Sequence, residues 1–513
     1  MTSTVEELSS TGGSGRPVRH VKVAVVGTGF SGLGMAIRML QAGMDDFLVF
    51  ERADEVGGTW RANTYPGCAC DVMSLLYSFS FAPNPDWKTT FGKRQEIFDY
   101  LRDCADRFGV RPYIRFRHEL LSARWDEVAR HWRISTSQGD YTAQVLVTGT
   151  GYLSDPVVPQ IEGLSSFAGP MFHSATWDHD VDLTGKQVAV IGTGASAIQF
   201  VPKIQPKAAR LDVYQRTAPW VGPKPDKSIT SREHWMRRRV PGYQRFRRNF
   251  NKNGREILAF LLSDPKRAEK TIQGMASKHL EKSITDPVLR ARLTPDYTVG
   301  CKRLLFSDEW YPAVSSSNVD VVTDRIDRVT PTSVVTADGR EREVDVLILG
   351  TGFQATSRPI AGRVFGTRGV ALAEVWSSGM SAYRGTTVAG FPNLFMLLGP
   401  NTTLGHSSQT LMIEAQIAYV MDALRVLDKR GLSSVDVRPQ AQIDYNRQLD
   451  ERLAGTVWNA GNCRSWYLDG NGRNPSIWPT YTWRFRRQTQ RFDLDAYQLA
   501  TTVAGGPRVG QPA

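Results

Sequence analysis

Cysteine is scarce in this chain of 513 residues, and its spacing suggests no site. No two cysteines form a C-x-x-C pair, so the sequence predicts neither a zinc site nor a disulfide framework, and no metal is expected. Such usage fits a reducing cytoplasm. The five cysteines are Cys68, Cys70, Cys104, Cys301 and Cys463.

Long apolar segments are also missing. The chain contains no apolar run of about 18 residues, which argues against integral membrane association. The N-terminal stretch MTSTVEELSSTGGSGRPVRH lacks the apolar core of a signal peptide, and its composition predicts a disordered tail over residues 1–17. A cytoplasmic protein of two or three domains is therefore expected.

Acidic residues are fewer than basic ones, and the formal net charge is +12. One dense basic run, REHWMRRRVPGYQRFRRNFNKNGRE at 232–256, accounts for much of this excess. A solvated helical face is the simpler interpretation of the run, and a binding patch is the alternative. Nucleic acid is not an expected partner, whereas a positive field would attract anionic cofactors.

A glycine-rich turn near the N-terminus carries the first functional signal. The stretch VKVAVVGTGFSGLGMAIRML changes from a strand pattern to a helix pattern through G-x-G-x-x-G, the context that dinucleotide binding requires. The next strand ends at Glu51, whose carboxylate suits the hydroxyls of an adenosine ribose. This half fits FAD, with a first group of contacts at Gly27, Gly29, Phe30, Ser31, Gly32, Glu51 and Arg52.

The same pattern returns 165 residues later in KQVAVIGTGASAIQF. Arg216 lies 24 residues after Gly192, the same separation as between Gly27 and Glu51. A guanidinium there binds a 2′-phosphate that a carboxylate would repel, so the second site is predicted to take NADPH. Its candidate contacts are Gly192, Gly194, Ala195, Ser196, Arg216, Thr217 and Lys302.

Two longer motifs resemble those of the type I Baeyer–Villiger monooxygenases. The family fingerprint F-x-G-x-x-x-H-x-x-x-W-[P/D] matches FAGPMFHSATWD, and a second signature matches GGTWRANTYPGCACD at 57–71. Flavin-containing N- or S-oxygenases look similar but usually lack the W-[P/D] ending of the fingerprint and the second signature. The fingerprint positions are Phe167, Gly169, His173, Trp177 and Asp178.

The resemblance implies an α/β fold with two Rossmann-like dinucleotide-binding domains and a helical insertion. The predicted FAD-binding domain is discontinuous, because strand-ending glycine turns at 145–159 and 344–353 let the chain leave and return. After the tail, the expected segments are FAD domain 18–153, NADPH domain 154–220, insertion 221–300, NADPH domain 301–377 and FAD domain with C-terminal tail 378–513.

The resemblance also implies the chemistry. NADPH reduces the flavin, dioxygen forms a C4a-peroxyflavin, and this species inserts one oxygen atom beside a ketone carbonyl to give an ester or lactone. The implied cation for the anionic peroxide is Arg303, which matches the family's K-R-L context, and Asp71 would orient it. The alternatives are N- or S-oxygenation and a dinucleotide-binding protein without turnover.

Further roles follow from the same resemblance. His173 is expected to couple domain movement to cofactor handling, with direct proton transfer as the alternative. Trp466 is expected to reach NADPH from a loop, and a packed aromatic tail is the alternative. The second group of FAD contacts is Gly58, Thr59, Trp60, Tyr65 and Asp71, with core packing as the alternative for the two aromatics; the substrate pocket is assigned to Thr403, Leu404, Gly405 and His406.

Overall fold

The computed structural model describes residues 18–501 except 357, 462 and 464; the predicted disordered tail over 1–17 lies outside the described residues. In chain order the strands are β1 Arg19–Val26, β2 Phe47–Glu51, β3 Ala69–Met73, β4 Phe91–Lys93, β5 Ile114–Phe116, β6 Leu120–Asp126, β7 His131–Thr136, β8 Gly139–Thr148, β9 Met171–His173, β10 Gln187–Ile191, β11 Arg210–Tyr214, β12 Val221–Gly222, β13 Leu305–Phe306, β14 Val319–Val322, β15 Ile326–Val329, β16 Ser333–Thr336, β17 Glu341–Glu343, β18 Val346–Leu349, β19 Val364–Phe365, β20 Leu394–Met396, β21 Leu432–Val437 and β22 Tyr497–Thr501. The α-helices are α1 Phe30–Gln41, α2 Thr59–Ala62, α3 Arg94–Arg107, α4 Ala197–Ile204, α5 Ser231–Arg239, α6 Tyr243–Leu262, α7 Pro265–Ala268, α8 Gly274–Ser283, α9 Pro287–Leu293, α10 Trp310–Val314, α11 Leu372–Val375, α12 Gln409–Arg430, α13 Pro439–Ala454, α14 Val457–Ala460 and α15 Thr482–Gln488.

The first sheet carries the first glycine turn. Its order is β19-β6-β7-β8-β1-β2-β5, and β20 also pairs with β8. The central strand β1 runs parallel to β2 and β8, and its side chains alternate between two buried clusters. A strand buried on both faces reads as a continuous apolar run, as VAVV at 23–26 does.

The second sheet repeats this arrangement in the order β14-β11-β10-β18-β9. Its central strand β10 is parallel to β11 and β18 and leads through a glycine turn into α4. Helices α5 to α9 fill the segment between residues 231 and 293, where the helical insertion is expected. The predicted fold class, two Rossmann-like domains in an α/β chain, is confirmed.

One predicted domain boundary differs from the structure. The sequence prediction assigns residues 301–377 to the second domain, but β19 pairs with β6 of the first sheet. The chain has therefore returned to the first domain before residue 364 rather than at 378. A strand of two residues leaves no periodic pattern in the sequence, so its pairing was not visible there.

Buried side chains of the two domains pack against each other. Tyr65 of the first domain packs edge-on against Phe200 of α4, and its hydroxyl donates to Gln199 Oε1 at 3.1 Å. Trp177 of the fingerprint also packs on Phe200, with ring centroids 5.2 Å apart. The Gln199 side chain additionally exchanges hydrogen bonds with the backbone of Ala69. The fingerprint segment and the second signature thus meet on one helix.

The prediction that the cysteines form no disulfide is wrong for one pair. Cys301 and Cys463 form a disulfide that joins positions 162 residues apart. Spacing could not reveal this pair, because the contact arises only when the C-terminal segment folds back over the insertion. Cys68, Cys70 and Cys104 are free and buried. Within residues 18–501, apart from the three omitted positions, no cluster of potential metal ligands occurs and no helix is long and apolar enough to cross a membrane.

The first glycine turn leaves no room for a side chain at Gly32. A Cβ atom there would lie 1.8 Å from the carbonyl oxygen of Gly27, a backbone atom that cannot move away without displacing α1. We expect Gly32→Ala to lower the thermal unfolding midpoint sharply, at a cost of about 1–3 kcal/mol or more from overpacking. The matched control is Gly254→Ala in α6, where the added Cβ meets nothing within 4 Å. That change should stabilise the helix by about 0.5–1 kcal/mol, and equal effects of the two substitutions would contradict the packing explanation.

Candidate functional site

A long cavity follows the first glycine turn from the end of β1 to the start of α12. Most of the first-domain residues expected to contact FAD line it. They are Gly27, Gly29, Phe30, Ser31, Glu51, Arg52, Gly58, Thr59 and Trp60. Gly32 stands behind the turn, where it allows the close packing just described.

Glu51 is fixed in this cavity by backbone and side-chain donors. Its Oε2 accepts from the Thr28 backbone N–H at 2.9 Å and from the Thr28 hydroxyl at 2.6 Å, and its Oε1 accepts from Ala53 N–H at 2.9 Å. The carboxylate is buried at the end of β2 and lines the cavity. This is the position from which a carboxylate accepts ribose hydroxyls.

The opposite end of the cavity meets a helix N-terminus. The buried strand β20 precedes this end of the cavity, and α12, whose N-cap is Ser408, follows it. Gln409, Thr410 and Ile413 of its first turns line the cavity. The partial positive charge of a helix N-terminus favours an anionic group there.

Arg358 is a cavity residue that the sequence did not single out. Its Nη1 donates to the Leu398 carbonyl at 2.6 Å, and its buried Nε has no partner among the described residues. Burial lowers the pKa of Arg358 to about 10. A guanidinium enclosed without a carboxylate is costly unless an anion joins it. A dinucleotide carrying a pyrophosphate supplies such an anion, so the cavity fits FAD.

The second glycine turn has the same backbone geometry as the first. Gly27 and Gly192 have φ angles of 95° and 110°, and a Cβ at either position would run into a glycine carbonyl of the neighbouring parallel strand, Gly149 or Gly350. Those two glycines belong to the strand-ending turns at 145–159 and 344–353. Gly194, Ala195 and Ser196 follow and lead into α4.

The residues expected at the NADPH phosphate lie beyond β11. Arg216 is exposed and pairs with none of the described residues, and Thr217 accepts from the Thr193 hydroxyl at 3.4 Å. Burial, and then the nearby Arg216 charge, lower the pKa of Lys302. The Asp296 charge offsets this lowering only in part. Two neighbouring cations, of which Arg216 pairs with none of the described residues, suit a 2′-phosphate.

Arg303 and Asp71 form the ion pair that the family resemblance implies. Arg303 Nε and Nη2 donate to Asp71 Oδ2 at 3.0 and 2.5 Å, and the two side chains are 39% and 18% exposed. Burial alone would raise the pKa of Asp71, but the guanidinium holds it below its usual range. In turn the Asp71 charge raises the pKa of Arg303, so both groups stay ionised.

Three further features lie around the Arg303–Asp71 pair. Of these, the sequence indicated only Trp466. Trp466 is partly exposed and stacks on Tyr152, with ring centroids 6.1 Å apart. Arg255 of α6 adds to the positive charge that lowers the pKa of Asp71. The Cys301–Cys463 disulfide joins the segment that carries Arg303 to the loop that carries Trp466. Tyr152, Arg255 and the disulfide come from distant segments and have no motif of their own.

The loop assigned to the substrate pocket is buried against the C-terminal segment. Thr403 N–H donates to the Ser476 carbonyl, and Trp478 N–H donates to the Thr403 carbonyl, both at 2.9 Å. Leu404 is buried, and Gly405 lies against the Trp458 indole. His406 is buried with both ring nitrogens unpartnered, and burial lowers its pKa to about 3.

His173 lies at the end of β9, opposite Leu349 of β18. Its Nδ1 accepts from Ala175 N–H at 3.0 Å, while its Nε2 is buried without a described partner. Burial lowers the pKa of His173, so the ring is neutral near pH 7. The ring packs edge-on against Phe353, which follows the strand-ending turn between the domains. Phe167 is buried in the second domain, Gly169 precedes β9, and Asp178 is exposed.

Two residues expected to contact FAD, Tyr65 and Asp71, do not line the cavity. Asp71 instead binds Arg303. Tyr65 follows the alternative of core packing and joins the two domains through Gln199 and Phe200. Cys68 and Cys70 are buried, and burial raises the pKa of the Cys68 thiol to about 11, so it is not a reactive thiolate.

Comparison with known proteins finds relatives that match this chain in sequence and in structure. The model of the flavin-binding monooxygenase-like family matches residues 20–360. A Baeyer–Villiger monooxygenase of Pseudomonas aeruginosa is 51% identical over 94% of this chain and 92% of its own length. One from Streptomyces coelicolor is 50% identical over 94% and 93%. The crystal structure of OTEMO in complex with FAD and NADP has a TM-score of 0.84 and 26% identity, covering 94% of this chain and 99% of that one.

The buried His406 makes stability depend on pH. The folded pKa of about 3 lies below the unfolded value of about 6.5, so the unfolded chain binds a proton that the folded chain does not. Stability should therefore fall as the pH drops below about 6.5, by about 2 kcal/mol at pH 5 from this residue. We expect His406→Gln to lose about that much less stability than the wild type between pH 7 and 5 in denaturant unfolding curves. The exposed His179→Gln is the control, and parallel pH profiles for wild type and His406→Gln would refute the assignment.

Proposed function

Because this chain belongs to the flavin-binding monooxygenase-like family, we propose that it is an NADPH-dependent Baeyer–Villiger monooxygenase. It inserts one oxygen atom of O₂ beside the carbonyl of a small-molecule ketone, giving an ester or lactone. The single observation that supports this best is the Arg303–Asp71 pair, held where the second signature meets the insertion. The relatives of 50% and 51% identity carry the same activity in their names.

The first domain holds FAD, which when bound supplies the reduction of dioxygen with electrons from NADPH. Glu51 would accept the ribose hydroxyls, and the N-terminus of α12, at the opposite end of the cavity, would stabilise negative charge on the bound cofactor. Arg358 provides the buried positive charge. The side chains around the cavity thus orient the cofactor and exclude water from it.

The Arg303 guanidinium stabilises the negative charge that develops on oxygen during insertion. An arginine keeps its proton when partly buried, and Asp71 holds two of its donors in a fixed direction. A fixed cation needs no reorganisation when the charge appears, which makes this type of stabilisation effective. Asp71 is a positioning residue, and Arg303 is the catalytic one.

The second domain would hold NADPH, which when bound supplies the hydride. Arg216 and Lys302 would bind its 2′-phosphate, and Trp466, stacked on Tyr152, would contact its nicotinamide half. His173 couples the domains, because its ring is neutral, buried and packed against Phe353. A cytoplasmic location stays a prediction, and the Cys301–Cys463 disulfide argues against a reducing compartment.

Loss of the guanidinium should separate oxygenation from reduction. In Arg303→Ala, we expect ester yield per NADPH consumed to fall at least a hundredfold, the scale of losing an oxyanion donor of about 3 kcal/mol. FAD should stay bound, because Arg303 does not line the cavity. The measurement combines NADPH oxidation with product analysis over a panel of ketones, amines and thioethers.

The matched control is Arg325→Ala, which removes an exposed arginine that pairs only weakly with Asp327. This variant should keep the wild-type ratio of ester to NADPH. An unchanged ratio in Arg303→Ala would exclude Arg303 as the catalytic cation. Oxygenated amines or thioethers without any ester from the wild type would reject the Baeyer–Villiger activity itself.

Cofactor preference should depend on Arg216. Its removal costs one charge-assisted contact of about 1.5–3 kcal/mol, so Arg216→Ala should raise KM for NADPH about ten- to a hundredfold. KM for NADH should hardly change, because NADH lacks the 2′-phosphate. Steady-state kinetics with both cofactors make the test, and equal increases for both would show that Arg216 does not bind that phosphate.

A further inference from the structure

The helical insertion exposes large apolar side chains along one face of α6. Phe246, Phe250, Ile257 and Phe260 are each at least 45% exposed. Their spacings of four, seven and three residues place them within an arc of about 80°, because each α-helical residue turns by about 100°. We call these four side chains the apolar stripe. Trp235 on the preceding helix α5 is also exposed.

The segment that carries the stripe is strongly basic. Residues 232–256 contain eight arginines and one lysine against two glutamates. Both glutamates are engaged, because Glu233 pairs with Arg237 and Glu256 accepts from Thr482 N–H at 3.1 Å. Arg232, Arg239 and Arg245 are exposed and pair with none of the described residues. The basic run therefore flanks an apolar face rather than a purely solvated one.

We propose that the apolar stripe and its flanking arginines dock this protein reversibly on an anionic lipid surface. A helix with exposed aromatic residues on one face and arginines beside them lies in the headgroup region of a bilayer. Each arginine near an anionic surface adds attraction that salt screens. The attachment is peripheral, because no helix among the described residues can cross a membrane.

A second copy of the chain fits this surface less well. Symmetric pairing through the stripe would bring the two basic runs together, and like charges at close range repel. The buried side of α6 faces the catalytic centre, where Arg248 donates to the Leu75 carbonyl and Arg255 lies near Asp71. Docking by the outer side therefore leaves these inner contacts intact.

The test is sedimentation of the full-length, FAD-loaded protein with vesicles. Vesicles of phosphatidylcholine with about one third phosphatidylglycerol should bind the protein at least tenfold more strongly than pure phosphatidylcholine. Raising the salt concentration should weaken that binding. The triple variant Phe246→Ser, Phe250→Ser, Ile257→Ser should bind the anionic vesicles at least tenfold more weakly. Replacing Arg239 and Arg245 by glutamine should reduce binding severalfold.

The matched control removes exposed apolar side chains elsewhere, in Val128→Ser combined with Ile443→Ser. It should bind as the wild type does, and all variants should oxidise NADPH at the wild-type rate, which shows that they are folded. Equal binding by the wild type and the triple variant overturns the proposal, as does equal binding to neutral and anionic vesicles. The proposal is also overturned if the wild type does not bind vesicles but forms a dimer or binds polyglutamate, and the triple variant does neither.

Discussion

The ion pair between Asp71 and Arg303 is the interaction on which the catalytic centre depends. Asp71 belongs to β3 of the first domain, whereas Arg303 precedes β13 after the insertion. The pair can form only when both domains and the insertion are correctly arranged. The position of Arg303, the proposed catalytic cation, therefore depends on how all three segments are arranged. Burial of one partner alone would be strongly destabilising, so the charges hold each other in place.

The two glycine turns and the strand that ends at Glu51 could be predicted, because those features are local in the chain. A glycine turn between a strand and a helix needs glycine at the same positions wherever it occurs. Gly27, Gly192 and the 24-residue separation could therefore be identified from the sequence. Arg358, Tyr152, Arg255 and the Cys301–Cys463 disulfide were missed. Each acquires its role from a contact with a distant segment, and such contacts leave no spacing in the sequence. For Tyr65 the sequence left flavin contact and core packing open, because its neighbour Phe200 also lies in a distant segment.

The contacts between domains give the fingerprint a physical meaning. Trp177 and Tyr65 pack on the same residue of α4, and His173 packs on Phe353 beside the turn that joins the domains. A shift of one domain must therefore move groups near both dinucleotide sites. The disulfide adds a covalent connection between the Arg303 segment and the Trp466 loop. Burial lowers the pKa of His173, and its packing on Phe353 is the contact that the proposed coupling role rests on.

The most direct test of this account is a double-mutant cycle on Asp71 and Arg303, scored as ester formed per NADPH consumed. If Asp71 acts by orienting Arg303, then Asp71→Ala should have little further effect once Arg303 is already alanine. The account predicts this strong non-additivity, with the double variant no worse than Arg303→Ala. Losses that simply multiply would contradict it, because they would mean that the two side chains act independently.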